Sequence, residues 1–138
     1  MSDLEIAKKI LKENDLTLVF VKDGKVIFKG KSEGMRDLVL VVDKFRDKLK
    51  NSSVADSIVG KAAASLFIFS GVDSVFAGKI SETAADTLKE QNIYFEYDEI
   101  VEKILNKEGT DICPFDKIAL PIKSPEEVYR KIKLFLKL

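Results

Sequence analysis

Histidine is absent from the 138 residues, and cysteine occurs once, at Cys113. Without histidine, nucleophilic catalysis of the Ser-His-Asp and Cys-His kinds is excluded. Zinc sites built from histidine and cysteine are excluded as well, because a single thiol cannot supply a tetrahedral ligand set. We therefore expect no metal and no cofactor. Any acid–base chemistry has to come from Asp, Glu, Lys, Tyr or Cys113.

Other missing features narrow the class of protein. A single cysteine forms no internal disulfide, which suits a reducing compartment. No apolar run is long enough to span a membrane, and the first residues lack the basic-then-apolar order of a signal peptide. The 23 basic and 23 acidic residues cancel, so nothing favours binding to nucleic acid. We expect one cytoplasmic domain over residues 1–138, with neither a nucleic-acid nor a membrane partner.

Hydrophobic periodicity and capping residues predict an α/β chain. The predicted helices lie at about 3–13, 34–49, 56–70, 82–91, 99–105 and from Ser124 onward. The predicted strands lie at 16–21, 26–28, 72–79 and 93–98, and Asp23-Gly24 forms a hairpin turn between the first two. Residues 106–123 show little periodicity. This order predicts a three-layer α/β/α sandwich with a mixed sheet and helices on both faces.

The stretch from Asp56 to Gly71 carries the clearest functional signal. We predict a helix that is apolar nearly all round, capped by Asp56 or Ser57 and buried between other elements. Lys61 lies near the start of this helix, against the positive end of its dipole, so an anion is expected beside it. A phosphate-binding loop of the G-x-x-x-x-G-K-[ST] kind is excluded, because Ala55 and Ala62 stand at two of its required positions.

Two interpretations of the predicted helix start remain open. Backbone N–H groups, the bare Gly60 and the Lys61 ammonium would together hold a phosphate or a carboxylate, with Asp56 as a further ligand contact or a base. Alternatively, Lys61 extends to solvent or pairs with Asp56 or Asp73. Ser81 and Glu82, which begin the next predicted helix, could line the same pocket from the other side.

Cys113 also has two interpretations. A neighbouring Lys61 would lower the pKa of the thiol and make it a nucleophile or a redox-sensitive group. Alternatively, the residue is a buried and inert small hydrophobic side chain. Asp111 and Asp116, which flank it, are ordinary loop and helix-cap residues under that second interpretation.

The pattern Asp56, Val59-Gly60-Lys61-Ala62-Ala63-Ala64 and Gly109-Thr110-Asp111-Ile112-Cys113-Pro114 resembles an uncharacterised domain family. The resemblance covers almost the whole chain, and it implies a cytidine-deaminase-like fold without an established activity. Zinc deaminases place H-x-E at one core helix and P-C-x-x-C at the next. The corresponding segments here, DSIVGKA and SETAADT, contain neither motif. We therefore do not expect a zinc-dependent deaminase.

These observations lead to two functional hypotheses. The first is a binding protein for a small anionic or nucleotide-like molecule, with metal-free group transfer through Cys113 and Lys61 as its sharpest enzymatic form. Asp56, Gly60, Lys61, Ser81 and Glu82 would contact the ligand. The second is a non-catalytic regulatory or self-association module, a homo-oligomer whose pocket is vestigial and whose exposed strand edge or helix faces make the contacts.

Overall fold

The computed structural model describes residues 1–31 and 34–138. The elements are α1 (Asp3–Glu13), β1 (Leu18–Lys22), β2 (Lys25–Gly30), α2 (Met35–Phe45), a 3₁₀ turn (Arg46–Leu49), β3 (Ser53–Val59), α3 (Lys61–Phe69), β4 (Ser74–Ser81), α4 (Glu82–Glu90), β5 (Tyr94–Val101), α5 (Pro114–Ala119) and α6 (Pro125–Leu136). Within these residues, five strands form one mixed sheet. No helix in the described part of the chain is long and apolar enough to cross a membrane.

The sheet has the strand order β2-β1-β3-β4-β5. β1 runs antiparallel to β2 and to β3, whereas β3, β4 and β5 run parallel to one another. Parallel neighbours need crossover connections, and α3 and α4 supply them. α1 packs on one face of the sheet and the other helices pack on the opposite face. The predicted α/β sandwich with a mixed sheet and helices on both faces is thus confirmed.

The hairpin at the start of the chain also follows its prediction. Asp23 and Gly24 have φ angles of 53° and 76°, as a two-residue turn with positive φ at both positions requires. The carboxylate of Asp3 accepts hydrogen bonds from the N–H groups of Asp23 (2.9 Å) and Gly24 (2.8 Å), which ties the start of α1 to the turn. The lysine-bearing β2 forms one edge of the sheet.

The predicted helix from 56 to 70 is wrong in its first part. Residues 53–59 form β3, which pairs with β1 on one side and β4 on the other, and the helix begins only at Lys61. Asp56 is therefore a strand residue and not a helix cap. The sequence pattern does not show the boundary, because Asp56 and Ser57 are favourable helix caps and because a short buried strand and a buried helix look alike in periodicity. The helical part is buried as predicted, from Ala62 to Phe67.

Three further boundaries differ from prediction. The proposed helix at 99–105 is wrong, because β5 continues to Val101 along β4. The long stretch 106–123 contains α5, and an isolated bridge between Leu105 and Ile112 closes the loop before it. The predicted helix 34–49 stops at Phe45, because the next residue, Arg46, has a φ of 31°.

Candidate functional site

The carboxyl ends of β3 and β4 meet the first turns of α3 and α4 at one end of the sheet. Open α/β sheets bind their ligands at the carboxyl ends of parallel strands. Most of the residues that the sequence singled out are in or beside this region, so its geometry decides which of them act together.

Asp116, a residue of α5, caps the start of α3. Its Oδ1 accepts a hydrogen bond of 2.9 Å from the N–H of Ala62, and the residue is only 6% exposed. A Cβ atom on Gly60 would lie 2.0 Å from Asp116 Oδ2, well inside contact distance. Glycine at position 60 therefore allows the carboxylate to approach the helix start. We call this arrangement the Asp116 cap.

Lys61 belongs to the same arrangement. Its Nζ donates hydrogen bonds to the backbone carbonyl oxygens of Leu120 (2.8 Å) and Ile122 (2.9 Å), just after α5. Burial lowers the pKa of this ammonium, and the negative charges of Glu90 and Asp116 partly oppose that effect. The predicted interpretations of Lys61 were an anion-binding group, or a side chain that extends to solvent or pairs with Asp56 or Asp73. The observed partners of its ammonium are instead two backbone carbonyl groups.

The sequence predicts an external anion beside Lys61. In the structure, the carboxylate of Asp116 supplies a negative charge at the start of α3. Burial raises the pKa of Asp116, against the opposing effects of the Ala62 N–H and the Lys61 charge. The sequence interpretation treated Asp116 as an ordinary helix-cap residue of its own segment. Its actual partner lies 54 positions earlier, so no local signal could have identified the contact.

Asp56 lies on β3 opposite Leu18 of β1 and Ala77 of β4. Cross-strand partners share a face, so Asp56 faces the larger, multi-helix core to which both partners belong. Its Oδ1 accepts the N–H of Ile58 at 3.3 Å, where β1 no longer pairs with β3. The residue is half-buried. Burial raises its pKa to about 7, although the N–H groups of Ile58 and Ser57 favour the charged form.

Asp56 thus changes charge near neutral pH, and among the described residues no ion pair involves it. A carboxyl group whose pKa is strongly raised and which has no charged partner is a candidate functional residue. The same part of the chain shows no group of three or more His, Cys, Asp or Glu residues arranged to hold a metal ion.

Ser81 and Glu82 have separate environments. Ser81 caps α4 as predicted: its Oγ accepts the N–H of Ala84 at 3.1 Å, and the residue is buried. A second contact of 3.1 Å joins the hydroxyl groups of Ser81 and Thr83. Glu82 is exposed on the first turn of α4.

Cys113 is half-buried and directly precedes α5. Its backbone N–H donates to Ile104 O at 2.9 Å, and its thiol makes no capping hydrogen bond to α5. Within the described residues, the hydrogen bonds of Lys61 go to carbonyl oxygens and not to this thiol. The structure therefore joins Gly60 and Lys61 to α5 through Asp116 and the carbonyl groups of Leu120 and Ile122. Cys113 directly precedes the first turn of α5, the turn that contains Asp116.

Comparison with known proteins identifies relatives of the whole chain. The family model described as "TM1506: Domain of unknown function (DUF1893)" matches residues 6–136. The crystal structure of a DUF1893 family protein, TM1506 from Thermotoga maritima, is 35% identical, with a TM-score of 0.86 over 96% of this chain and 89% of that one. No curated protein matches the sequence.

A second solved structure is more distant. It is a diaminohydroxyphosphoribosylaminopyrimidine deaminase/5-amino-6-(5-phosphoribosylamino)uracil reductase from Thermotoga maritima, 18% identical, with a TM-score of 0.46. The match covers 74% of this chain and 33% of that chain. A similarity at this level carries no argument about the present protein.

We predict that Gly60→Ala destabilises the fold by about 2–4 kcal/mol, because the new methyl group displaces the Asp116 carboxylate and its hydrogen bond. The φ of Gly60, −96°, is open to alanine, so the cost is steric and not conformational. Urea unfolding of Gly60→Ala, Asp116→Ala and the double variant measures the coupling. Gly60→Ala should cost much less in the Asp116→Ala background, and equal costs in both backgrounds would contradict the contact.

We predict that Asp56 makes the protein less stable as the pH rises from about 4 to 7. A raised carboxyl pKa means that the native state binds more protons than the unfolded chain in this window, so stability is lost with rising pH. Asp56→Asn keeps the Oδ1 acceptor and should be more stable than the parent at pH 8 by roughly 1–3 kcal/mol, with little difference at pH 4. Denaturant titrations of Asp56→Asn and the parent protein at both pH values measure this difference in stability.

Asp86→Asn on the exposed surface of α4 is the matched control and should leave the pH profile unchanged. Asp116 also has a raised pKa, so some pH dependence of the same sign remains in Asp56→Asn. If the free energy of unfolding changes with pH in the same way in Asp56→Asn and in the parent protein, Asp56 does not titrate in this range.

Proposed function

We propose that the chain, which belongs to the DUF1893 family, binds a small molecule carrying N–H donors, such as the base of a nucleotide, through Asp56. The observation that carries this proposal is a half-buried carboxyl group in the middle of β3, three residues before the carboxyl end of the strand, with a pKa of about 7. The carboxyl end of β3, three residues beyond Asp56, lies at the edge where open α/β sheets bind ligands.

The chemistry of Asp56 favours a donor-bearing ligand. Burial penalises the carboxylate, and within the described chain only backbone N–H groups compensate it. Two N–H donors on one edge of a planar base would supply further hydrogen bonds to the charged form, and such charge-assisted bonds are strong in a partly dehydrated site. A second anion beside this carboxylate would instead be repelled.

The Asp116 cap occupies the groups at the start of α3 that would otherwise bind the anionic part of a ligand. The N–H of Ala62 and the ammonium of Lys61 already bond to oxygen atoms of the chain. A phosphate at the start of α3 would have to displace a buried carboxylate and two carbonyl groups. The proposal accordingly assigns recognition to Asp56 and gives Lys61 and Gly60 the role of fixing α5.

Three finer hypotheses from the sequence stay predictions. They are the cytidine-deaminase-like assignment of the sandwich, group transfer through Cys113 and a cytoplasmic location. Cys113 is half-buried beside α5, and Lys61, the cation expected to activate its thiol, donates to the carbonyl groups of Leu120 and Ile122. Binding therefore has more structural support than group transfer.

We predict that binding depends on the ionisation of Asp56. A panel of free bases, nucleosides and nucleotides is screened by thermal shift, and hits are titrated calorimetrically at pH 6 and pH 8. If the ligand donates to the carboxylate, affinity rises about tenfold between these pH values, because the ionised fraction rises through a pKa of about 7. Asp56→Asn should weaken binding and remove this pH dependence, whereas Asp86→Asn should do neither.

A panel without hits would overturn the proposal for this ligand class. Hits that bind Asp56→Asn and the parent protein with the same affinity would show that the ligand does not contact Asp56. Testing pH-insensitive ligands, whose own groups do not titrate between pH 6 and 8, ensures that the pH effect reports on the protein.

The second candidate function is self-association through β5. This strand is the other edge of the sheet, and it exposes Tyr94 (60%), Tyr97 (45%) and Ile100 (44%). Exposed edge strands with apolar side chains pair readily with further strands. Such pairing would make the protein an interaction module, whatever Asp56 binds.

We predict for this second candidate that sedimentation velocity detects a concentration-dependent dimer or larger assembly. Tyr97→Lys should reduce association, because a lysine on an edge strand opposes pairing. Lys89→Gln on α4, away from the edge, is the control. A monomer at all concentrations would remove self-association as a function of β5.

A further inference from the structure

A cleft of about 540 Å³ lies at the carboxyl ends of the parallel strands. Ile58 of β3, Lys79 of β4 and residues 101–106 line it, and we call it the strand-end cleft. Its size falls in the range of small-molecule sites. Asp56 is not among these lining residues, so the cleft is distinct from the carboxyl group discussed above.

Four of the eight residues that line the strand-end cleft are aliphatic. Ile58 and Leu105 are about half exposed, at 50% and 51%, while Val101 and Ile104 are half-buried. Large apolar side chains that stay exposed within a concave surface favour binding of an apolar body, because a ligand would remove their surface from water.

The wall formed by residues 104–106 is held in place by the loop that follows it. Ile104 O accepts the N–H of Cys113 (2.9 Å), and Asn106 N–H donates to Asp111 O (2.8 Å). The Asn106 side chain bonds Thr110 through both its amide oxygen and its amide nitrogen. A wall fixed by these bonds needs little ordering when a ligand binds, which lowers the entropic cost of binding.

The charges around the cleft favour an anionic ligand. The lining contains two lysines, Lys79 and Lys103, and one glutamate, Glu102, so its net charge is +1. Lys79 is half-buried and lies opposite Glu99 in the sheet, yet among the described residues neither lysine forms an ion pair. Asp111 feels the charge of Lys103 but is already bonded to Lys117. Lys79 is therefore the better anchor.

We propose that the strand-end cleft binds a small amphipathic anion, a molecule with one carboxylate or sulfonate group on an aromatic or aliphatic body. The anionic group pairs with Lys79 and the body lies against Ile58 and Leu105. Each part of the ligand then contacts a group of complementary chemistry. The anionic group lies beside the ammonium of Lys79, and the apolar body covers exposed aliphatic side chains.

The probe for this site is naphthoate, with naphthylmethylammonium as its cationic counterpart of similar size. Naphthoate is titrated into the isotope-labelled protein, and amide NMR shifts of residues 101–106 give the dissociation constant. Binding should be saturable, and the cation should bind about two- to fivefold more weakly, as expected for one partly exposed charge contact. Lys79→Gln should weaken naphthoate binding by a similar factor, and it should not weaken binding of the cation, because the cation then loses a repulsion.

Two further variants complete the test. Leu105→Asn, outside the sheet, should weaken both probes because it removes apolar wall, whereas Lys89→Gln on α4 should change neither. The NMR spectrum of each variant verifies its fold. Absence of saturable shifts at residues 101–106 would overturn the proposal. Equal affinities of the parent protein and Lys79→Gln for naphthoate, or equal affinities of the two probes, would overturn it as well.

Discussion

The contact between the Asp116 carboxylate and the start of α3 fixes the arrangement of the whole site. A helix that starts inside a protein leaves N–H groups without partners, and leaving such a group unsatisfied costs about 1–3 kcal/mol. Asp116 satisfies one of them from another helix. Gly60 permits the approach because no Cβ stands in its path.

Lys61 makes this contact reciprocal. While Asp116 reaches from α5 to the start of α3, Lys61 reaches from α3 to the carbonyl groups just after α5. Two oppositely charged side chains thus each satisfy the backbone of the other element. The arrangement fixes α5, and with it Cys113 and the loop behind the strand-end cleft. The Gly60-Lys61 motif, for which the sequence predicts an external anion, thus makes these contacts within the chain.

The sequence reveals those parts of this structure that depend on neighbouring residues. The serine caps of α1, α4 and α6 and the Asp23-Gly24 turn involve partners within a few positions, and all of them were predictable. The boundary at Gly60 was missed because the apolar residues of the short strand β3 do not distinguish it from a helix, and because Asp56 and Ser57 are also favourable helix caps. Contacts over long separations, such as that of Asp116 with Ala62, leave no periodic trace.

Burial raises the pKa of both Asp56 and Asp116, yet the two aspartates have different roles. Asp116 has the positive charge of Lys61 nearby and a helix N–H to accept, so its interactions are complete within the chain. Asp56 gains only backbone N–H groups next to it in sequence, and no lysine lowers its pKa. The less compensated acid is the one with capacity left for a ligand, which is why Asp56, and not the Gly60-Lys61 pair, is the stronger candidate for recognition.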